Sequence, residues 1–169
     1  MTRIHGFPPL SDHRAELLIL GSMPGKASLQ AGQYYAFPRN AFWPIMQTVY
    51  GIDRQASYAQ RCAGLVAQGI AVWDVLGSCL RNGSLDADID PASIVANDFA
   101  SFLRRHPAVR RIGFNGAMAQ KTFAREVQPT LSVPHAAIRQ VRLPSTSPAN
   151  ASFSFERKLA AWREFLCGC

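Results

Sequence analysis

Leu17-Leu18-Ile19-Leu20-Gly21 is five residues without a polar side chain, closing on glycine. A strand with one face in water alternates apolar and polar residues. An uninterrupted run this short therefore reads as a strand covered on both faces, as in a parallel sheet between helices. Ile70-Ala71-Val72-Trp73-Asp74-Val75 and Arg111-Ile112-Gly113-Phe114-Asn115 repeat the pattern, and Ile138 to Leu143 is a fourth candidate that stops at Pro144. Helical spacing fills the intervals. Ala41–Tyr50 reads as a helix provided that Pro44 falls in its first turn, and Tyr58–Gln68, Ile94–Arg105 and Ala117–Val127 follow. Near the end, Phe155, Leu159, Trp162 and Leu166 recur on one helical stripe. Strands alternating with helices predict a single α/β domain over residues 1–169. Its expected form is a three-layer α/β/α sandwich around a central, mostly parallel four-stranded sheet.

The chain's 169 residues suffice for one such domain and are short for two. With 48% hydrophobic and 17% charged residues, it has the composition of a folded globule rather than a disordered tail. No run reaches the roughly 18 apolar residues of a membrane span. The opening stretch lacks the basic-then-apolar order of a secretory signal, so the cytoplasm is the expected location. Cys62, Cys79, Cys167 and Cys169 form no CxxC pair, which argues against disulfides and against a four-thiolate zinc or iron–sulfur site. The net charge of +7 is unevenly spread. Residues 1–98 carry 7 Lys or Arg against 8 Asp or Glu, whereas residues 99–169 carry 11 against 3. A cationic half is either a solubilising surface or a face for a polyanion, because Lys and Arg that neutralise phosphates release counterions.

Ligands of open α/β sheets bind beyond the carboxyl ends of the strands. Here those ends read Gly21-Ser22-Met23-Pro24-Gly25, Asp74-Val75-Leu76, Asn115-Gly116 and Pro144-Ser145-Thr146-Ser147-Pro148-Ala149-Asn150. None is a G-x-G-x-x-G or a G-x-x-x-x-G-K-[ST], so neither a dinucleotide nor a nucleoside triphosphate is indicated. The H-x-E and P-C-x-x-C signature of zinc deaminases is also missing.

Two of these segments, together with Tyr35-Ala36-Phe37-Pro38-Arg39-Asn40-Ala41-Phe42-Trp43, resemble the uracil-DNA glycosylase superfamily in order and spacing. Within it they are most similar to the hypoxanthine-DNA (deoxyinosine) glycosylase family. The resemblance runs from about Leu17 to Asn150. It implies an enzyme that flips a deaminated base, hypoxanthine first and uracil second, out of double- or single-stranded DNA. The N-glycosidic bond is then hydrolysed to leave an abasic site. It further implies a monomer with no metal or organic cofactor. Extracting a base costs a few kcal/mol and needs a pocket that stacks it and reads its edge.

Met23 departs from the G-x-N-P-G motif of the mismatch-specific relatives, whose Asn orients the attacking water; a thioether sulfur is only a weak acceptor. The resemblance passes that role to Asn40, although an Asn ahead of an apolar helix is also a favoured cap, and one residue can do both. Tyr35 aligns with the aromatic that stacks on the flipped base, with Tyr34 or Phe37 as substitutes if the register slips. Phe42 is grouped with it, core packing being its plainer role. Asp74 is placed to read the base edge: a carboxylate accepts, and hypoxanthine presents N1–H where adenine presents a bare acceptor. Action on the water, a helix cap or an Arg partner are its other roles. Gly21, Ser22, Met23 and Asn115 complete the expected base-binding set. Ser145, Thr146, Ser147, Pro148, Ala149 and Asn150 form the expected DNA-backbone loop, though a Ser/Thr-rich turn needs no ligand. Arg104, Arg105, Arg110 and Arg111 are the densest basic cluster, with no face assigned.

Lys26, Lys121 and Lys158 lie outside every motif, which disfavours a Schiff-base lyase. Two other functions stay open: a glycosylase specific for uracil or G:U and G:T mismatches, and a nucleic-acid-binding domain without catalysis.

Overall fold

A computed structural model describes residues 2–168; Cys169, one of the four cysteines, lies outside the described residues. In chain order the elements are β1 (Arg3–His5), β2 (Leu17–Gly21), α1 (Lys26–Ala31), α2 (Phe42–Tyr50), α3 (Tyr58–Ala67), β3 (Ile70–Asp74) and β4 (Leu76–Leu80). They continue with β5 (Val95–Ala96), α4 (Phe99–Arg105), β6 (Arg111–Asn115), α5 (Ala117–Thr122), α6 (Val133–Ala136), β7 (Arg139–Leu143) and α7 (Phe155–Cys167). The main sheet has the order β3-β2-β6-β7 with every pairing parallel. These are the four strands expected from the apolar runs.

Alternation along β2 explains the layers. Leu18 and Leu20 face one core with Trp73, Phe114 and the helix residues Phe99, Phe102 and Phe123. Leu17 and Ile19 face the other, with Phe42, Trp43, Leu65 and Trp162 from α2, α3 and α7. Burying both faces of so short a strand is worth about 1.5–3 kcal/mol per large side chain, which is why no polar residue is tolerated there. At Gly113 a β-carbon would lie 2.6 Å from the Phe165 ring, so α7 lies directly on β6. Pro44 is the third residue of α2, inside the first turn. Among the described residues no helix is long and apolar enough to cross a membrane.

Four details differ from the sequence expectation. Beyond Asp74 the chain swings away, and Leu76–Leu80 enters a second, antiparallel sheet of order β1-β4-β5 that no sequence pattern announced. The helix expected over Ile94–Arg105 begins only at Phe99, where Asp98 caps it by accepting from Ser101 N at 3.0 Å; Val95–Ala96 pairs with β4 instead. The helix expected over Ala117–Val127 is α-helical to Thr122 and finishes as a π-turn over Phe123–Val127. Phe155, at the head of the apolar stripe, points to solvent, and Lys158 is buried in its place.

Candidate active site at the carboxyl ends of the strands

In the β2–β3 register Gly21 lies beside Asp74. A β-carbon on Gly21 would stand 2.5 Å from Asp74 Oδ1 and 3.2 Å from the Tyr35 hydroxyl. Only a residue without a side chain lets these two groups meet over the strand end. Asp74 is 4% exposed, and its Oδ2 has no hydrogen-bond partner. Burial, reinforced by the negative charge of Asp86 and only partly offset by Arg81, pushes its carboxyl up to about 7. Near neutrality the group is therefore divided between an acceptor-only carboxylate and a carboxylic acid that can donate.

Tyr35 holds a left-handed backbone, φ 56°, the only such non-glycine among the described residues. For a bulky side chain this conformation is costly and persists only where its surroundings enforce it. The ring stacks on Phe42 with centroids 4.1 Å apart and planes inclined by 22°. Phe42 is backed edge-on by Trp43 and Trp162. The Tyr35 hydroxyl is buried without a partner, and burial pushes the phenol well above its ordinary value. Tyr34 cannot replace it, since its own hydroxyl donates to Pro8 O at 2.8 Å and its carbonyl accepts from Trp43 Nε1.

Asn40 precedes α2, and its Oδ1 accepts from Phe42 N at 2.9 Å. The cap is thus real and occupies one atom; Nδ2 makes no hydrogen bond among the described residues. The adjacent Ala41 N donates to Thr146 O at 2.9 Å. Thr146 N in turn donates to Asn115 Oδ1 and Thr146 Oγ1 accepts from Asn115 Nδ2, each at 2.9 Å. Stacking and hydrogen bonds therefore link Tyr35, Phe42 and Asn40 through Ala41 to Thr146 in the Ser145–Ser147 loop, with Asp74 and the Tyr35 hydroxyl both lying close around Gly21.

Several residues expected to touch a base or DNA have other employment. Phe42 has no exposed surface and lies behind Tyr35, as its support. Met23 packs into the core beside Leu20, where an apolar thioether is most at home. The Ser22 hydroxyl donates to Asp86. Both amide atoms of Asn115 are spent on Thr146, and Thr146 is itself 1% exposed. Ser145 Oγ and Ser147 Oγ accept from backbone N–H groups of their own turn. Pro148 and Ala149 are exposed and Asn150 half-buried, its Nδ2 donating to Ser145 O. Arg104 and Arg105 end α4, and Arg110 and Arg111 open β6, so that cluster sits at the opposite end of the sheet from Asp74.

Two residues that no motif marked belong here. Asp86, in a short turn after β4, reaches Ser22. Arg81 is buried, with Nη2 donating to Pro24 O at 2.7 Å and Nε to Gly83 O at 2.9 Å, while Nη1 has no partner. Lys26 N also donates to Ser84 Oγ. The segment after β4 is thus laced over the loop that follows β2. Among the described residues no group of three or more His, Cys, Asp or Glu is placed to hold a metal ion.

The arrangement brings together an aromatic ring, a buried unpartnered carboxyl and an amide with a free donor. Comparison with known proteins agrees in kind. A family profile described as the uracil DNA glycosylase superfamily matches residues 8–166. A hypoxanthine DNA glycosylase of Methanosarcina acetivorans is 36% identical over 90% of this chain and 92% of its own. One from Methanosarcina barkeri is 38% identical over 66% of this chain and 70% of its own. A solution NMR structure from Methanosarcina acetivorans, described provisionally as a uracil DNA glycosylase, is 31% identical with a TM-score of 0.77, covering 96% of this chain and 98% of that one.

Proposed function

The chain belongs to the uracil DNA glycosylase superfamily, and from that premise we propose that it excises deaminated bases from DNA by hydrolysis, hypoxanthine before uracil. Residues 1–169 act as one catalytic domain, as a cytoplasmic monomer, on double- or single-stranded DNA. The flipped base stacks on Tyr35, which Phe42 holds in place. Asp74, ionised, accepts N1–H of hypoxanthine; intact adenine offers a lone pair there and is repelled. Asn40 Nδ2 orients the water while Oδ1 stays on Phe42 N. The water oxygen bonds to C1′, the C1′–N bond breaks with its electron pair leaving on the base, and the proton that the water sheds neutralises the base anion. Hydrogen bonds that strengthen as charge develops on the leaving base lower the barrier.

The observation that carries this reading is the buried, unpartnered Asp74 carboxyl at Gly21, the glycine that the Tyr35 hydroxyl also approaches. Leaving such a group unpaired costs about 1–3 kcal/mol, and a ring N–H is a partner of the right polarity. Ser145, Ser147, Pro148, Ala149 and Asn150 meet the DNA backbone, held by Thr146. Uracil also presents an N–H beside a carbonyl, and the provisional description of the Methanosarcina acetivorans structure favours testing it in parallel. The test is base release from matched duplexes carrying one inosine or one uracil, read as alkali-cleavable sites. Faster release of hypoxanthine is expected. Faster release of uracil reverses the ranking, and DNA binding without any abasic product reduces the protein to a binding module.

A further inference from the structure

Beside Asn40, on the side away from Asp74, a groove of about 450 Å³ lies between the segment leading into α2 and the first turns of α7. Its walls include Pro38, Arg39, Asn40, Arg54, Phe155 and Lys158, and no carboxylate lines it. Arg39 and Arg54 are exposed and take part in no ion pair among the described residues. The Arg39 guanidinium rests 5.5 Å over the Phe37 ring, which positions it while leaving its N–H groups free.

Lys158 is the informative member. Its side chain is 5% exposed, and its Nζ donates to Ser147 O at 3.1 Å. A carbonyl is a poor counterpart for a buried ammonium, which normally keeps its charge only beside an anion. Burial accordingly lowers the amine below its ordinary value. The missing negative charge is what the groove lacks and what a nucleic-acid backbone supplies.

We propose that this groove binds a backbone phosphodiester of the DNA strand carrying the flipped nucleotide, with Arg39 and Arg54 as its outer donors and Lys158 as its inner one. Asn40, the residue proposed to orient the water, is itself a wall of the groove, and Lys158 holds the loop residue Ser147. The strand therefore passes from the groove to Asn40 without leaving the protein. Guanidinium groups suit this role because their paired N–H donors match two phosphate oxygens. The inference rests on the glycosylase reading, since only a DNA substrate brings the phosphodiester.

The test is the salt dependence of duplex binding by the wild type, Arg39→Ala, Arg54→Ala and Lys158→Met. Each lost phosphate contact should lower the slope of log affinity against log salt by about 0.9, equally on inosine-containing and undamaged duplex. Replacing single phosphates by neutral methylphosphonates around the inosine then locates the contact. At the contacted position the wild type loses affinity and the Arg54→Ala protein does not. Arg39 and Arg54 are exposed, so their variants carry the test even if Lys158→Met fails to fold. Full wild-type slopes in both arginine variants would overturn the proposal. So would inorganic phosphate, at matched ionic strength, displacing DNA from the wild type and Arg54→Ala equally. Wild-type protein that neither binds DNA nor releases a base would overturn the glycosylase reading as well, whereas an active wild type with indifferent variants removes the groove alone.

Discussion

The two ends of the parallel sheet are built to opposite rules. At the amino end Glu16 N donates to Gly69 O and Arg110 N to Glu16 O, at 2.8 and 2.9 Å. Arg111 Nη1 donates to Phe165 O at 2.6 Å, tying the last turn of α7 to the start of β6. At the carboxyl end three buried side-chain atoms have no partner: Tyr35 Oη, Asp74 Oδ2 and Arg81 Nη1. The amino end has one, Arg111 Nε. The only left-handed non-glycine residue among those described, Tyr35, is also at the carboxyl end. Unpaired polar groups and backbone strain oppose folding, and their concentration at one end marks where stability yields to binding. Changes to the unpaired groups at the carboxyl end should therefore cost activity while improving stability, a change to a group with its own structural bond there should cost far more activity than stability, and changes at the amino end should cost stability alone.

Asp74→Asn tests this contrast most strongly. The folded protein holds the Asp74 proton up to about pH 7, whereas an ordinary aspartic acid loses it near 3.8. The folded state thus binds more protons across that window, and stability falls as pH rises through it. Removing the carboxylate should stabilise the protein at pH 8 by up to ~4 kcal/mol, with a smaller gain at pH 5, while hypoxanthine release collapses. Melting curves of both proteins at the two pH values would show a gap that widens toward pH 8; a constant gap breaks the contrast. In the wild type, release should climb as pH rises through about 7.

Asn40→Ala should slow base release by about a hundred- to a thousandfold, the usual effect of losing one oriented donor. Because Oδ1 also caps Phe42 N, stability should drop by about 1 kcal/mol. Single-turnover rates and duplex affinity measured together separate the two effects, since affinity should survive. Arg111→Met, at the other end, should destabilise by about 2 kcal/mol through the lost charged hydrogen bond and leave the rate per folded molecule untouched. A slower rate there would mean that the ends are not independent. The smallest effect is expected from Tyr35→Phe, which keeps the stacking ring and deletes a buried, unpartnered hydroxyl. Denaturant titration should register a gain of about 1 kcal/mol.

The main sheet was legible because its first three strands are short, largely apolar runs and its last strand stops at Pro144. Leu17–Gly21 and Arg111–Asn115 stand where the runs placed them, and Ile70–Asp74 and Arg139–Leu143 each lose one residue. The small sheet was hidden by its own brevity: Arg3–His5 is three residues, and Leu76–Leu80 follows Asp74 so closely that it reads as the tail of the preceding strand. Tyr35 and Asn40 were marked by a motif and Asp74 by its place at a strand end. Asp86 was not, because an Asp in Leu85-Asp86-Ala87-Asp88 looks like any acidic turn. Its partner Ser22 lies 64 residues away, and only the fold closes that distance. The same limit concealed the use of Asn115, whose amide reads as a ligand donor until Thr146 is seen beside it.

Thr146 has a mechanical consequence. It is bolted to the end of β6 through Asn115 and to the start of α2 through Ala41, while Lys158 grips the next carbonyl. Under the proposed function, a loop clamped at its centre yields little against a double helix, and the deformation falls on the nucleic acid. Sites where base pairing is already weakened bend at least cost, and a rigid tool of this sort would sort lesions by the softness of the duplex around them before any ring edge is inspected.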